Sequence, residues 1–497
     1  MTEPLDTYEP RPGLTHRDAD WSGLRVLVVG LGVSGFAAAD ALLERGAVVD
    51  ATSPDVSEAI TERARILDIL GARVHLGEDT VAVPPEGTEL VVTSPGVRPD
   101  NPLLVAAAAA GIPVWGEVEL AWRMRARTGA APWLTVTGTN GKTTTVNMLA
   151  SILTAAGLRT TSAGNVGTPI LEAVLHPEPY DVIAVELSSF QLHWSRSVSA
   201  VASACLNVAP DHLDWHGSLE EYQRAKGRIY ENTQVACVYN VQDPVTEQLV
   251  MDADVVEGCR AVGFTLGVPA LSMVGLVDDV LADRAFVEQR QTSAAELCTL
   301  ADLQGEAPSV APHYVANALA AATLARAYGV GPVAVRDGLR AFRPDAHRIA
   351  DVAIVDGVRF VDDSKATNPH AAAASLLAFE HVVWVAGGQL KGADVDELVA
   401  TAKDRLRGVV LIGADRARIA DALARHAPDV PVVDLESTDT GVMDTVVQQA
   451  VALAQPGDVV LLAPAGASLD MFTSYGARGD AFADAVRRHA GGGPEAP

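Results

Sequence analysis

Basic residues are scarce in this chain of 497 residues: 37 Lys and Arg stand against 63 Asp and Glu, a formal net charge of -26. Binding a polyphosphate rod relies on a basic surface, so nucleic acid is excluded as a partner. Any anionic ligand must then meet locally concentrated positive groups, while the acid excess reads as a solvated surface that favours solubility. Cysteine is scarcer still. Cys205, Cys237, Cys259 and Cys298 are widely spaced and form no C-x-x-C pair, which argues against a disulfide framework and against structural zinc. Long apolar runs are missing too: stretches such as residues 105–110 and 451–454 are short and interrupted. Nothing approaches the roughly 20 residues of a membrane span, so none is expected. Residues 1–20 lack a basic start followed by an apolar run and carry Pro, Asp and Glu; they read as a flexible tail and not as a signal peptide. A soluble cytoplasmic enzyme is the expected class.

What the chain does have is a phosphate cradle. Thr135-Val136-Thr137 leads into Gly138-Thr139-Asn140-Gly141-Lys142-Thr143-Thr144-Thr145, an apolar strand running through a Gly-Lys-Thr turn into a helical pattern. Glycines let successive backbone N–H groups turn toward an anion, and the helix N-terminus adds its positive dipole end. Lys142 supplies a point charge, and the Thr143 hydroxyl can reach Mg2+. ATP or GTP chemistry follows. Val136 occupies the place where the general G-x-x-x-x-G-K-[ST] pattern has its first glycine, so this loop is a more compact form.

At this length two or three domains are expected, and the pattern of elements is α/β throughout. Residues 1–20 form the tail, 21–128 a Rossmann-like domain, 129–342 a central P-loop domain and 343–497 a second Rossmann-like domain. The stretch from Arg123 to Ala131, rich in Arg, Gly and Ala, reads as the linker into the central domain. In the first domain the strand Arg25 to Val29 runs into Gly30-Leu31-Gly32-Val33-Ser34-Gly35, a G-x-G-x-x-G turn in its proper setting. Asp50 follows about twenty residues later, where a dinucleotide-binding domain holds a ribose. The strand Leu90 to Thr93 ends in Ser94-Pro95-Gly96, another turn at which a ligand fits. In the central domain the apolar strand Asp181 to Val185 ends in Glu186. Parallel strands bring their C-terminal ends to the ligand edge of a sheet, so Glu186 is placed to bind magnesium beside the phosphates. Strands at His381–Ala386, Gly408–Ile412 and Asp458–Ala463 repeat the βα rhythm in the last domain.

Several further motifs fall in order along nearly the whole chain: Glu186-Leu187-Ser188-Ser189-Phe190-Gln191, Asn207-Val208-Ala209-Pro210-Asp211-His212-Leu213-Asp214, Tyr222 to Tyr230, His347-Arg348, Asp363-Ser364-Lys365-Ala366-Thr367-Asn368 and Pro464 to Asp470. With the compact phosphate loop they resemble the Mur ligases, which build the peptide stem of bacterial cell-wall precursors. The Asp363 to Asn368 stretch resembles the D-glutamate-adding branch. The resemblance implies an ATP-dependent acid-amino-acid ligase that joins UDP-N-acetylmuramoyl-L-alanine to D-glutamate through an acyl phosphate, with two Mg2+ sites and CO2 held as a lysine carbamate. It implies a cytoplasmic protein, expected to be a monomer, in peptidoglycan synthesis and hence in cell shape and division.

Residue by residue, the resemblance implies catalytic roles for Lys142, Glu186, His212 and Lys226, with Thr143, Glu186, His212 and carbamylated Lys226 at the metals. Lys226 lies between Arg224 and Arg228, and like charges lower a lysine pKa where side chains approach, which favours the neutral amine that carbamylation needs. ATP is to meet Gly138, Thr139, Asn140, Gly141, Lys142, Thr143, Thr144, Asn317, Arg348 and Asp363. The UDP substrate is to meet Gly30, Gly32, Ser34, Gly35, Ser53, Gly96, Asn165 and Ser188, with Asp50 the alternative to Ser53 at uridine. D-Glutamate is to meet Lys365, Thr367, Lys391, Ser468, Leu469 and Tyr475. Tyr314 stands where some relatives have Asn, and the segment Gly387 to Lys391 lacks an acid that relatives carry.

Other readings compete. A nicotinamide-dependent dehydrogenase accounts for Gly30 to Gly35 and Asp50 but gives the phosphate loop, Glu186 and Asp363 to Asn368 no purpose. Another Mur ligase, or a folylpolyglutamate synthetase-like ligase, shares the central chemistry, though the latter has no need of the first domain. An inactive binding protein of the same fold is a third class.

Overall fold

The computed structural model describes residues 9–304, 310–343, 347–436 and 439–491. The chain divides into two compact units, one running to Val208 and from Trp215 to Phe342, the other comprising Ala209–Asp214 and the chain from Arg343 onward.

The first unit contains two sheets. A five-stranded parallel sheet has the order Arg73–Leu76, Val48–Ser53, Arg25–Val29, Leu90–Thr93, Val114–Gly116. A nine-stranded sheet places the strand Trp133–Thr137 between Val182–Glu186 and Ala202–Cys205. All five residues of Trp133–Thr137 and of Val182–Glu186 are buried, as expected for parallel strands covered on both faces. The far edge of this sheet turns antiparallel through Met273–Val277, Val280–Asp283 and Ala295–Thr299. One face is covered by helix Lys142–Ala155 together with Pro312–Tyr328 and Pro332–Ala341. Helix Pro312–Tyr328 is buried continuously from Asn317 to Ala325. Its run of alanines makes that possible, because small side chains let neighbouring backbones approach closely. It stops at Gly329, which takes the left-handed conformation at φ 101°.

Two expectations need correction here. Arg123 is not in a linker: it lies in helix Glu117–Arg123, is 4% exposed, and its guanidinium meets Glu119 at 2.7 Å and Glu9 at 2.9 Å. Downstream, Arg125 stacks on Trp122 with its guanidinium carbon 3.0 Å from the ring centroid. Aromatic faces hold both arginines, since Arg123 also lies over Trp115. Nor are residues 9–20 a loose tail. Leu14 is buried, Arg11 pairs with Glu89, and the Arg17 N–H donates to the Arg125 carbonyl. Residues 1–8 of the expected tail lie outside the described residues.

Glu119 fastens helix Glu117–Arg123 to the segment that follows helix Ser189–His193. It is wholly buried and accepts from the Arg123 Nε, the backbone N–H groups of Arg196 and Ser197 and the Ser197 hydroxyl. Four donors satisfy a charge that burial alone would make costly.

The second unit has one six-stranded sheet in the order Ala350–Val355, Val358–Asp362, Val459–Ala465, Val382–Gly387, Leu406–Ile412, Val432–Asp434. Only the first pair is antiparallel. Asp356 and Gly357 join it, both at positive φ, the two-residue hairpin chemistry of an Asp-Gly turn. Apolar side chains pack on both faces of this sheet. No helix among the described residues is long and apolar enough to cross a membrane.

Candidate active site

The phosphate loop joins strand Trp133–Thr137 to helix Lys142–Ala155. Gly141, the helix N-cap, sits at φ 85°. A Cβ there would come within 2.3 Å of the Asn317 side-chain oxygen, so glycine is required on both conformational and steric grounds. Asn317 is thereby placed against the loop. The loop is fastened from the neighbouring strand. Asn207 accepts from the Thr139 N–H through its carbonyl (2.9 Å) and from the Asn140 N–H through its side chain (2.8 Å), and returns a bond to the Asn140 carbonyl (3.1 Å). The Thr139 and Tyr222 hydroxyls lie 2.9 Å apart in a buried hydrogen bond. Asn207 and Tyr222 hold the cradle and were not singled out as site residues, although both stand inside the motifs that carried the resemblance.

Three charged groups converge on this loop. Lys142 Nζ donates to the carbonyls of Gly138 (2.9 Å) and Thr139 (3.0 Å). Lys226 Nζ donates to the same Gly138 carbonyl at 2.8 Å and lies over the Tyr222 ring. Lys226 is 2% exposed, so it is no surface lysine. The flanking arginines have partners of their own: Arg224 pairs with Glu220 and Glu221, and Arg228 donates to the His193 carbonyl. Residues two apart on a helix point to different sides.

Glu186 is the third group. It ends its strand in register with Val136 and is 1% exposed. Its Oε1 accepts from the Asn165 side chain at 2.8 Å, and its backbone carbonyl accepts from the Asn165 N–H. Its Oε2 is buried without a hydrogen-bond partner. An unmatched carboxylate oxygen at the ligand edge of the sheet, next to a phosphate loop, is what a hard divalent cation takes. The donor set therefore fits magnesium.

The glycine turn of the first sheet is built as tightly. A Cβ on Gly35 would fall 1.8 Å from the Gly30 carbonyl oxygen, and the Ser94 hydroxyl donates to that same oxygen at 2.9 Å. Ser34 acts on Glu117, a buried carboxyl that burial pushes above its usual range and whose Oε1 has no partner. The Gly96 carbonyl accepts from the Trp215 indole N–H at 3.3 Å. Gly30, Gly32, Ser34, Gly35 and Gly96 thus gather at one end of the first sheet.

Other expected contacts fare differently. Asp50 is not at the strand end: it lies mid-strand opposite Arg73, pairs with it at 2.9 Å and has His75 at 3.6 Å. Ser53, three residues on, ends the strand and is buried. Ser188 spends its hydroxyl on a capping box with Gln191.

The second unit holds the remaining residues. His212 lies in the short Ala209–Asp214 segment, at φ 52°, with its Nε2 3.6 Å from Asp211. Asp363 is 7% exposed; its carboxylate accepts from the Ser375 hydroxyl and the Ile349 N–H. Burial pushes its pKa up to about 7 against the opposing Ser375 bond and the Arg348 charge. Lys365 Nζ lies 5.2 Å from the centre of the Tyr475 ring. Ser468 is buried, whereas Leu469 and Tyr475 are exposed. Thr367 follows Lys365 in a turn closed by its N–H on the Lys365 carbonyl, and Lys391 sits at φ 50°.

Comparison with known proteins adds to this geometry. Three family models match: "Mur ligase MurD-like, N-terminal domain" over residues 24–116, "Mur ligase middle domain" over 136–325 and "Mur ligase, glutamate ligase domain" over 347–466. A Streptomyces avermitilis protein named UDP-N-acetylmuramoylalanine--D-glutamate ligase is 64% identical over 468 residues, 94% of this chain and 99% of that protein. A protein of the same name from Mycolicibacterium smegmatis is 48% identical, covering 94% and 97%. Among solved structures, the Thermotoga maritima MurF ligase in complex with ADP covers 97% of this chain and 100% of its own, at 16% identity and TM-score 0.54. The UDP-N-acetylmuramate-alanine ligase MurC of the same organism covers 94% and 99%, at 19% identity and the same TM-score. The last two show the fold.

Proposed function

This chain belongs to the Mur ligase family, and on that premise we propose that it forms the amide bond between UDP-N-acetylmuramoyl-L-alanine and D-glutamate, driven by ATP. Relatives 48% to 64% identical over nearly the whole chain carry that activity in their names. The structural observation that carries the reading is the meeting of a phosphate loop, buried Lys226 and the unpartnered Glu186 Oε2 in one unit.

A carboxylate is a poor acyl donor because its leaving group would be oxide. The γ-phosphoryl group of ATP is first moved onto the L-alanine carboxylate, giving an acyl phosphate. The amine of D-glutamate then attacks the carbonyl, a tetrahedral intermediate forms, and phosphate leaves. Positioning and charge neutralisation do most of this work. Gly138, Thr139, Asn140, Gly141, Lys142, Thr143 and Thr144 hold the nucleotide phosphates, with Lys142 exchanging its two loop carbonyls for phosphate oxygens. Asn317, Arg348 and Asp363 are assigned to ATP as well. Gly30, Gly32, Ser34, Gly35, Ser53, Gly96, Asn165 and Ser188 are assigned to the UDP substrate. Of these, Ser188 has both its hydroxyl and its backbone N–H engaged in the cap with Gln191. Lys365, Thr367, Lys391, Ser468, Leu469 and Tyr475 are assigned to D-glutamate, whose two carboxylates suit lysines and hydroxyls.

Thr143 and Glu186 are assigned to one magnesium ion and His212 to a second; when bound, magnesium supplies positive charge against the phosphate and carboxylate oxygens. Lys226 is assigned as a carbamate formed with CO2, which turns a buried cation into an anion. Rescue of Lys226→Ala by short-chain carboxylic acids, together with extra density on Lys226 in intact crystals, tests this; absence of both would withdraw it. The protein works in the cytoplasm, as a monomer, in cell-wall synthesis and so in cell division.

Phosphate release from ATP, measured with the two substrates singly and together, tests the function. Release that requires both and rejects L-glutamate supports it; release indifferent to D-glutamate overturns it.

A further inference from the structure

The residues assigned above to the amino acid stand on separate loops of the second unit, and one side chain ties those loops together. Arg478, in helix Tyr475–His489, is 1% exposed. Its Nε donates to the Ser364 hydroxyl at 2.9 Å and a terminal nitrogen donates to the Ser364 carbonyl at 2.8 Å. The other terminal nitrogen donates to the Gly466 carbonyl at 3.0 Å. Ser364 directly precedes Lys365, and Gly466 lies two residues before Ser468. The Ser364 hydroxyl in turn donates to the Tyr475 carbonyl at 2.8 Å.

The third loop closes on the same group. A Cβ on Gly388 would sit 2.2 Å from the Ala467 carbonyl oxygen and 3.2 Å from an Arg478 nitrogen. Gln389 and Ala467 exchange backbone hydrogen bonds at 2.8 and 2.9 Å, and that loop continues to Lys391. One guanidinium therefore ties the segments that carry Lys365 and Ser468, with Tyr475 joined through Ser364, and the loop leading to Lys391 is held to the same segment through Ala467.

The charge matters as much as the geometry. The Arg478 acceptors are two carbonyls and a hydroxyl, which orient a guanidinium without cancelling its charge. Among the described residues it forms no ion pair; Asp470 and Asp362 act on it only from farther away. A buried cation with neutral partners leaves a positive potential in its surroundings, strengthened by the low local dielectric.

We propose that Arg478 is a positioning residue of the amino-acid pocket and the buried cation that makes that pocket prefer a dicarboxylate. This rests on the assignment of that pocket to D-glutamate. Lysine keeps the charge but not the positioning, because a point ammonium does not span Ser364 and Gly466 as a planar fork does.

The test is steady-state kinetics of full-length Arg478→Met and Arg478→Lys, with thermal melting alongside. In Arg478→Met, KM for D-glutamate rises by about 10- to 100-fold while KM for ATP and for the UDP substrate stays within about twofold. Preference for D-glutamate over D-glutamine, as a ratio of kcat/KM, falls in Arg478→Met and is largely kept in Arg478→Lys, whose D-glutamate KM is intermediate. A folded Arg478→Met with unchanged D-glutamate KM overturns the proposal, as does a parallel rise of all three KM values. If Arg478→Met does not fold, Arg478→Lys decides: an unaltered D-glutamate KM refutes the positioning role. Wild-type enzyme indifferent to D-glutamate would instead refute the functional reading beneath it.

Discussion

Replacing Asp363 by Asn should make the second unit more stable, and increasingly so as pH rises. Burial holds the Asp363 carboxyl at about 7, against an ordinary value of 3.8. In the unfolded chain the group loses its proton near the ordinary value, whereas the native group keeps it until about neutrality. Between those limits the native state binds the extra proton, so stability contributed by this group is greatest in acid, falls as pH rises toward about 7, and is level above. The full gap of about 3 units corresponds to about 4 kcal/mol, of which about 1.5 is already lost at pH 5. Asn has no proton to lose. It can still accept from the Ile349 N–H, and its amide can donate to the Ser375 hydroxyl, which then turns toward the Ala371 carbonyl 3.2 Å away. The stability difference between variant and wild type should therefore grow by about 2.5 kcal/mol from pH 5 to pH 8. Hydrogen exchange of peptides from strands Val382–Gly387 and Val459–Ala465, corrected for intrinsic rates, reads that unit alone. A difference that stays flat across this range would refute the reasoning.

Further outcomes follow from single contacts. Glu119→Ala leaves buried Arg123 with Glu9 as its remaining carboxylate partner and strands the Arg196 and Ser197 donors, and should cost about 3–5 kcal/mol by denaturant unfolding followed through tryptophan fluorescence. Gly141→Ala forces a side chain into the left-handed region at a cost of about 1–2 kcal/mol and onto Asn317. It should raise KM for ATP more than tenfold (on the order of 1.4 kcal/mol or above), measured by phosphate release. Tyr222→Phe removes the buried partner of the Thr139 hydroxyl and should weaken ATP binding by about 1 kcal/mol, read by calorimetry with a non-hydrolysable nucleotide.

The phosphate loop was legible in the sequence because its chemistry is local: glycine, lysine and threonine must be adjacent to turn backbone N–H groups onto one anion. Glu186 was legible for a related reason, since a buried parallel strand can end in an acid only where something meets it. Asp50 misled because spacing along the chain does not fix register. A count of residues reaches the second strand, but pairing opposite Arg73 decides that the carboxylate is neutralised within the sheet. Lys226 misled in another way. Adjacent charges in sequence suggested a lysine on a charged helix face, yet the side chain turns inward to the Gly138 carbonyl while Arg224 pairs with Glu220. The residues 9–20 looked solvated by composition, and only long-range partners such as Glu89 and Arg123 tie them down. Asn207 had a visible sign, its place beside the motif at His212. Arg478 had none, because its work depends on three loops that meet only in the folded unit. The edge hairpin at Asp356-Gly357 carried a turn signal that was there to be read.

The central claim is that Lys142, Thr143 and Glu186 serve the transfer of a phosphoryl group to a carboxylate. UDP-N-acetylmuramoyl-L-alanine labelled with 18O in its alanine carboxylate, incubated with ATP and D-glutamate, tests it most directly by mass spectrometry of the phosphate released. One 18O should appear in each phosphate formed, in step with the amide product. Unlabelled phosphate accompanying that product would contradict the account.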